Sequence, residues 1–109
     1  MHYRIVENSP FARIARLFFG SKRIAMVLGS TIHLSGVDRQ RFISDRKWLI
    51  HELMHVEQYR QNGFVKFLFL YILESIRHGY YQNRFEVEAR EAEERGVIQQ
   101  DRLTVLNVG

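Results

Sequence analysis

An unbroken helical segment at residues 44–62 carries two histidines four positions apart. Residues 51–55 read HELMH, and neither proline nor glycine occurs between residues 44 and 62. Residues four apart lie on one face of a helix, one turn above each other, so His51 and His55 can reach the same point. Two imidazoles at this spacing are typical of a zinc ligand pair. Glu52 then lies where it can deprotonate a water molecule on the ion.

The surroundings of the motif predict the limits of its helix. Ser44 is a candidate N-cap, and Gly63 is a candidate residue just beyond the C-terminus. Leu49, Leu53 and Val56 recur at helical spacing and form an apolar stripe that faces a core. The alternative is an amphipathic helix whose histidines bind nothing. A complete motif on a capped helix favours zinc.

Length and composition indicate one domain at residues 1–109, with a core at about 10–96 and a tail at 97–109. The chain has no cysteine, so a metal must be bound by histidine and carboxylate, and a reducing compartment is expected. The N-terminus lacks an apolar stretch of signal-peptide length, which favours the cytoplasm. Peripheral attachment to a membrane or secretion by a non-classical route are the alternatives.

Periodicity and capping residues predict an α+β domain that is mainly helical, with a small β-hairpin beside the motif helix. We expect helices at 10–19, 44–62, 64–77 and 84–95, strands at 23–28 and 31–34, a helical turn at 38–42, a loop at 78–83, and a strand at 103–106.

The apolar run at residues 64–73 is either a core helix or a contact with a membrane. It is interrupted by Lys66 and is shorter than the ~20 residues that span a bilayer, so we expect a buried core helix. The alternative is a helix at a membrane surface, flanked by Arg60, Arg77 and His78. The net charge of +4 is scattered along the chain, and no basic-aromatic pattern predicts a nucleic-acid partner.

A catalytic zinc usually has three protein ligands and one open position, so a third ligand is needed. Metzincins place glycine and histidine at the positions that Gln58 and Gln61 occupy here, which excludes that class. Asp101 is a carboxylate with no motif around it.

The acidic segment at 84–95 is the better source of the third ligand. Glu86 begins an E-x-x-A pattern, and the small Ala89 lets this helix approach the motif helix. A helical wheel leaves Glu86 and Glu88 on opposite flanks of the apolar face formed by Phe85, Ala89, Ala92 and Gly96. The spacing to Ala89 favours Glu86, with Glu88 as the alternative. A third reading leaves all these acids as a solvated surface.

The HELMH motif followed by E-x-x-A resembles the gluzincin metallopeptidases, and the chain length is similar to that of minigluzincins. Residues 31–34 are similar to their upper-rim strand, along which an extended substrate binds. Residues 27–58 are also similar to the peptidase-like core domain of extracellular contractile injection systems. The resemblance covers about residues 23–95. It implies a zinc metallopeptidase acting on a peptide or protein, with ligands His51, His55 and Glu86 and with Glu52 as general base.

The chain departs from the gluzincin pattern at Arg90, where many members have an acid that orients a zinc-bound histidine. The donor that stabilises an oxyanion is open among His78, Tyr80 and Tyr81, and His33 is a candidate substrate contact on the rim strand. Two alternatives to an active peptidase remain. One is a silent domain that acts as a protein-interaction module, and the other is a latent enzyme whose tail fills the cleft.

Overall fold

The computed structural model describes residues 2–96, which form five helices and one three-stranded sheet. In chain order the elements are β1 (Arg4–Val6), α1 (Pro10–Phe19), β2 (Ile24–Leu28), β3 (Thr31–Ser35), α2 (Arg39–Ser44), α3 (Arg46–Asn62), α4 (Phe64–Gln82) and α5 (Arg84–Arg95). The predicted α+β class, dominated by helix, is confirmed.

Helix α1 begins and ends where its capping residues predict. The Ser9 hydroxyl accepts a hydrogen bond from the Ala12 N–H, and Pro10 follows at the first helical position, where a missing N–H costs nothing. Gly20 ends the helix with φ of 66°, a left-handed conformation that glycine adopts without strain. Ala12 is the one buried residue of α1, so the helix rests on the sheet along a narrow strip.

The strands are ordered β1-β3-β2, which places β3 at the centre of the described sheet and β2 at an edge. β2 and β3 form the predicted antiparallel hairpin, with Leu28 opposite Thr31 across the turn. β1 pairs parallel to β3 and was not predicted. It has only three residues, and its partner lies far away in the sequence, so no local pattern reveals it.

Aspartates cap both α2 and α3. Asp38 and Asp45 each accept a hydrogen bond from the backbone N–H three residues later, at 2.8 Å and 3.2 Å. The prediction of Ser44 as the N-cap of the motif helix was therefore wrong by one residue. Ser44 ends α2, and its hydroxyl donates to a carbonyl oxygen of that helix. From Arg46 to Asn62 the motif helix is unbroken, and Gly63 ends it as predicted.

Helix α3 is the centre of the core, because it contacts the sheet and also packs against α5. The predicted stripe of Leu49, Leu53 and Val56 is buried. So are Ala89 and Ala92 on the facing side of α5. The two alanines carry nothing beyond Cβ, so the backbones of α3 and α5 approach closely at this interface.

Helix α4 extends beyond its predicted end at residue 77 and is interrupted at Gly79, where φ is 82° and ψ is 166°. This conformation is open almost only to glycine. The expectation of a buried helix at 64–73 was wrong, since Phe67 is the one buried residue of α4. The helix touches α3 and α5 along one face and leaves its other apolar side chains exposed. Within residues 2–96, no helix is both long enough and apolar enough to cross a bilayer.

The predicted strand at 103–106, the carboxylate of Asp101 and the tail of the latent-enzyme alternative lie outside the described residues.

Candidate metal centre

The side chains of His51, His55 and Glu86 meet between α3 and α5. The Nε2 atom of His51 lies 2.9 Å from Glu86 Oε1, and the Nε2 atom of His55 lies 3.1 Å from Glu86 Oε2. One ligand atom from each residue lies within 4.8 Å of the other two. Around a tetrahedral zinc ion with bonds of about 2.1 Å, ligand atoms are about 3.4 Å apart. The three groups therefore fit one ion after small movements.

Asn83 fixes the position of Glu86 by fixing where α5 begins. Its Oδ1 accepts from the Phe85 N–H at 2.8 Å, while its Nδ2 donates to the Tyr71 carbonyl oxygen at 3.0 Å and to Ser75 Oγ at 2.9 Å. Asn83 is fully buried, so it ties the start of α5 to α4 and puts Glu86 in the first turn. Sequence analysis missed this role, although an asparagine just before a helix is a common N-cap.

The Nδ1 atoms of both histidines are held on the side away from Glu86. His51 Nδ1 bonds to Glu93 Oε2, and His55 Nδ1 bonds to Gln58 Oε1 at 2.8 Å. Both oxygens can only accept, so each Nδ1 donates its proton. This arrangement fixes the tautomer whose Nε2 lone pair is free for a metal once Nε2 is deprotonated.

Glu93 therefore occupies the place behind a histidine that the resemblance assigns to an acid at the position of Arg90. Arg90 instead donates to the Tyr81 carbonyl oxygen at 2.7 Å, and its guanidinium lies 3.9 Å from the centre of the Tyr81 ring. No local pattern in the sequence distinguishes Glu93 from the other acids of α5.

Glu86, and not Glu88, lies beside the histidines. Glu88 is on the other flank of α5, where it accepts from Gln58 Nε2 at 2.7 Å. Gln58 thus links Glu88 to His55, since its Oε1 faces the imidazole. The structure brings together the three residues favoured from the sequence, while metal binding by them stays a prediction.

His51, His55 and Glu86 shift one another's pKa values because they are close together at a buried interface. Burial raises the pKa of Glu86, but hydrogen bonds from His51 and His55 outweigh this and hold it well below its usual range. Burial lowers the pKa of His51, but its bond to Glu86 and the nearby carboxylates raise it to about 9. The pKa of His55 is raised by Glu86 in the same way, against the effect of burial. A divalent cation bound here would replace the protons of the two histidines as the positive charge beside Glu86.

Glu52 lies beside this cluster in the wall of a cavity of about 600 Å³. His55 and Glu86 line the same cavity, and most of the remaining wall is apolar. Burial raises the pKa of Glu52 to about 7, although the neighbouring histidines act to lower it. A carboxylate that titrates near neutral pH can both accept and return a proton, as a general base requires.

Three tyrosines line the cavity, and Tyr71 and Tyr80 are the two that interact with Glu86. The Tyr71 hydroxyl donates to Glu86 Oε2, and its ring centre lies 6.0 Å from that of His55. Tyr80 lines the cavity beyond the Gly79 break. Burial raises the pKa of both tyrosines, so both hydroxyls remain protonated donors at neutral pH. Tyr71 was missed because it lies in the apolar run, where an aromatic residue indicates packing.

Three other candidates from the sequence lie away from the cavity wall. His33 Nδ1 bonds to Ser9 Oγ at 2.8 Å, and its ring packs on Phe11. Tyr81 contacts Arg90, and His78 is exposed. None of these three residues lines the cavity.

The strand that borders the cavity is β2, which contributes all five of its residues to the wall. The resemblance had placed the rim strand at residues 31–34, but β3 is the central strand with a neighbour on each side. Among the strands of residues 2–96, the sheet edge beside the cavity, with which an extended peptide can pair, therefore belongs to β2.

Comparisons of this chain with protein-family models, curated proteins and solved structures found no match.

Proposed function

We propose that this chain is a zinc-dependent peptidase of the gluzincin type, with zinc held by His51, His55 and Glu86. The observation that carries the proposal is the convergence of two Nε2 atoms on one buried carboxylate while each Nδ1 is held by an acceptor behind it. A ligand set without sulfur, made of two imidazoles and one carboxylate, suits zinc.

Glu52 is the general base of the proposed reaction. A zinc ion in this site would polarise a water molecule and lower its pKa to about 7. Glu52 accepts the proton of the attacking water and then donates it to the leaving amine. Its position in the cavity wall and its pKa of about 7 support both steps.

The hydroxyl of Tyr80, or that of Tyr71 once it releases Glu86, is the donor to the oxyanion that forms at the scissile carbonyl. Both are protonated at neutral pH because burial raises their pKa, and both line the same cavity as Glu52.

The shape and lining of the cavity support a peptide substrate with an apolar side chain near the cleaved bond. The wall includes Met26, Leu28, Phe67 and Leu68, which suit a large aliphatic or aromatic group. The edge of β2 beside it offers backbone groups to an extended chain.

Metal content and peptide cleavage by the purified chain test the proposal directly. We expect about one zinc per chain, and cleavage of peptides that contain apolar residues, abolished by a chelator and restored by zinc. Glu52→Gln should keep the zinc and lose hydrolysis by at least about 10²-fold, because it removes only the base. Glu91→Gln, at an exposed position of α5, is the matched control and should behave as wild type.

The His55→Ala variant tests metal binding, whereas Glu52→Gln tests the hydrolysis step. It should lower zinc affinity sharply and remove the rise in Tm that zinc gives the wild type, because metal binding stabilises only the folded state. Unchanged zinc content in His55→Ala would exclude His55 as a ligand. Full activity in Glu52→Gln would overturn the assignment of the base. Zinc binding without any cleavage would indicate a silent domain.

A further inference from the structure

The described part of the chain exposes a large apolar surface on two helices. We call it the apolar face, and it consists of Phe11, Ile14, Leu17 and Phe18 on α1 with Val65, Phe69, Ile72 and Ile76 on α4. The exposed fraction is 84% for Phe18, 79% for Val65 and 77% for Ile76. Single exposed apolar residues are normal, but two stripes at helical spacing mark a surface that binds something.

Both stripes border the mouth of the cavity. On α1 the cavity is lined by Ala15, which lies one helical turn from Phe11 and Phe18 of the apolar face. On α4 it is lined by Leu68 and Ser75, which lie one helical turn from Val65 and Ile72 of that face.

One pair of aromatic rings from α1 and α4 meets in the wall of the cavity. The ring centres of Phe19, at the end of α1, and Tyr80, beyond the Gly79 break, are 6.0 Å apart. The apolar face therefore continues from one helix to the other around the opening.

The charge on and beside the apolar face is positive. Residues 10–23 contain Arg13, Arg16, Lys22 and Arg23 and no acid. Helix α4 adds Lys66 and Arg77, while its single acid, Glu74, forms an ion pair with Arg84. The acids of the described C-terminal region are concentrated on α5.

We propose that the apolar face docks on an anionic phospholipid bilayer, with the mouth of the cavity turned toward the lipid. Amphipathic helices with flanking cations bind such surfaces by burying apolar side chains and by attraction to acidic headgroups. No helix in residues 2–96 can cross the bilayer, so the contact is peripheral in the described chain.

A second copy of the chain fits this face less well than lipid does. A two-fold interface brings the same patch of each copy together, so the cations of residues 10–23 would face the same cations. An anionic bilayer neutralises them instead. One consequence, which rests on the proposed function, is that the peptides cleaved lie at a membrane surface. The docking itself does not depend on a metal.

Co-sedimentation of the full chain with vesicles, in the presence of a chelator, tests the docking. We expect binding to vesicles of phosphatidylcholine with phosphatidylglycerol, little binding to phosphatidylcholine alone, and weaker binding at high salt. Because the chelator removes any metal, binding here survives even if the peptidase proposal fails. A wild-type chain that binds neither vesicle overturns the docking.

The double variant Ile14→Glu, Phe18→Glu should lose at least tenfold in vesicle affinity. Both side chains are exposed, so the variant should keep its fold, which circular dichroism checks. The control, Gln40→Glu with Arg46→Gln, lowers the net charge by the same two units on exposed positions of α2 and α3 and should bind nearly as wild type. Equal losses in the two variants would overturn the role of the apolar face.

A third measurement reports which surface meets the lipid. Phe18→Trp should shift its fluorescence to the blue and be quenched by brominated anionic lipid, because its ring enters the acyl boundary. Absence of quenching on bound vesicles, or a wild-type dimer that the Ile14→Glu, Phe18→Glu variant dissociates, would contradict the proposal in favour of another contact.

Discussion

Glu93 shows how a single side chain can set the affinity of the proposed metal site. It holds Nδ1 of His51, so the imidazole presents Nε2 toward Glu86. We predict that Glu93→Gln weakens zinc binding by about 10–100-fold, the usual effect of losing a carboxylate behind a histidine ligand. Competition with a zinc chelator measures the affinity.

Glu94 provides the matched control for this prediction. It is the next residue, is exposed and pairs only weakly with Lys47, at 3.5 Å on the surface. Glu94→Gln should leave zinc affinity unchanged. If both variants bind zinc as tightly as wild type, Glu93 does not orient the ligand.

The sequence could predict those residues of the site that a local motif contains. His51, Glu52 and His55 follow from the H-E-x-x-H motif on a helix, and the E-x-x-A pattern favoured Glu86. Glu93 and Tyr71 could not be found this way. Their roles arise from how α4 and α5 pack around α3. The choice between Glu86 and Glu88, on opposite flanks of α5, depends on the same packing.

At the scale of elements, the break at Gly79 is the clearest departure from a simple helix. Its backbone, at φ 82° and ψ 166°, is nearly forbidden to other residues, and a Cβ added there would meet no atom within 4 Å. We predict that Gly79→Ala lowers the free energy of unfolding by about 1–3 kcal/mol through backbone strain alone. Chemical denaturation measures the change.

Gly20 gives the comparison. It lies at φ 66° in the left-handed region, which asparagine tolerates, and it also has open space around it. Gly20→Asn should therefore cost less than Gly79→Ala. A Gly79→Ala variant as stable as wild type would show that the chain bends at this point for another reason.

The elements themselves could be predicted where their ends carry local signals. Ser9, Gly20, Gly63 and Gly96 all mark the ends of helices as expected. The Ser44 prediction failed because Asp45, an equally good cap, is the next residue. Exposure of α4 could not be read from its composition, since an apolar run looks the same whether it packs inward or outward.

For the whole molecule, the site makes stability depend on pH. The pKa of His51 is raised from 6.5 to about 9, so its contribution is complete below 6.5 and is lost as pH rises through 9. The pKa of Glu86 is lowered from 4.5, so its contribution is present above 4.5 and is lost as pH falls. We predict that this site stabilises the metal-free protein most between about pH 4.5 and pH 6.5, where both contributions are present.

Bound zinc should offset the loss of stability that the metal-free protein shows as pH rises. Metal and protons compete for the same Nε2 atoms, so the rise in Tm given by zinc should grow from about pH 6 to about pH 8. Thermal unfolding with and without zinc across this range measures both effects. A zinc-induced rise that shrinks as pH increases would contradict ligation by the histidines.

The separation of the ligands along the chain gives the proposed ion a mechanical role as well. His51 and Glu86 are 35 positions apart, on two different helices. A coordinated ion would close that loop and restrict the unfolded chain, much as a disulfide does in proteins that contain cysteine. In a chain without cysteine, zinc would act as the cross-link between α3 and α5.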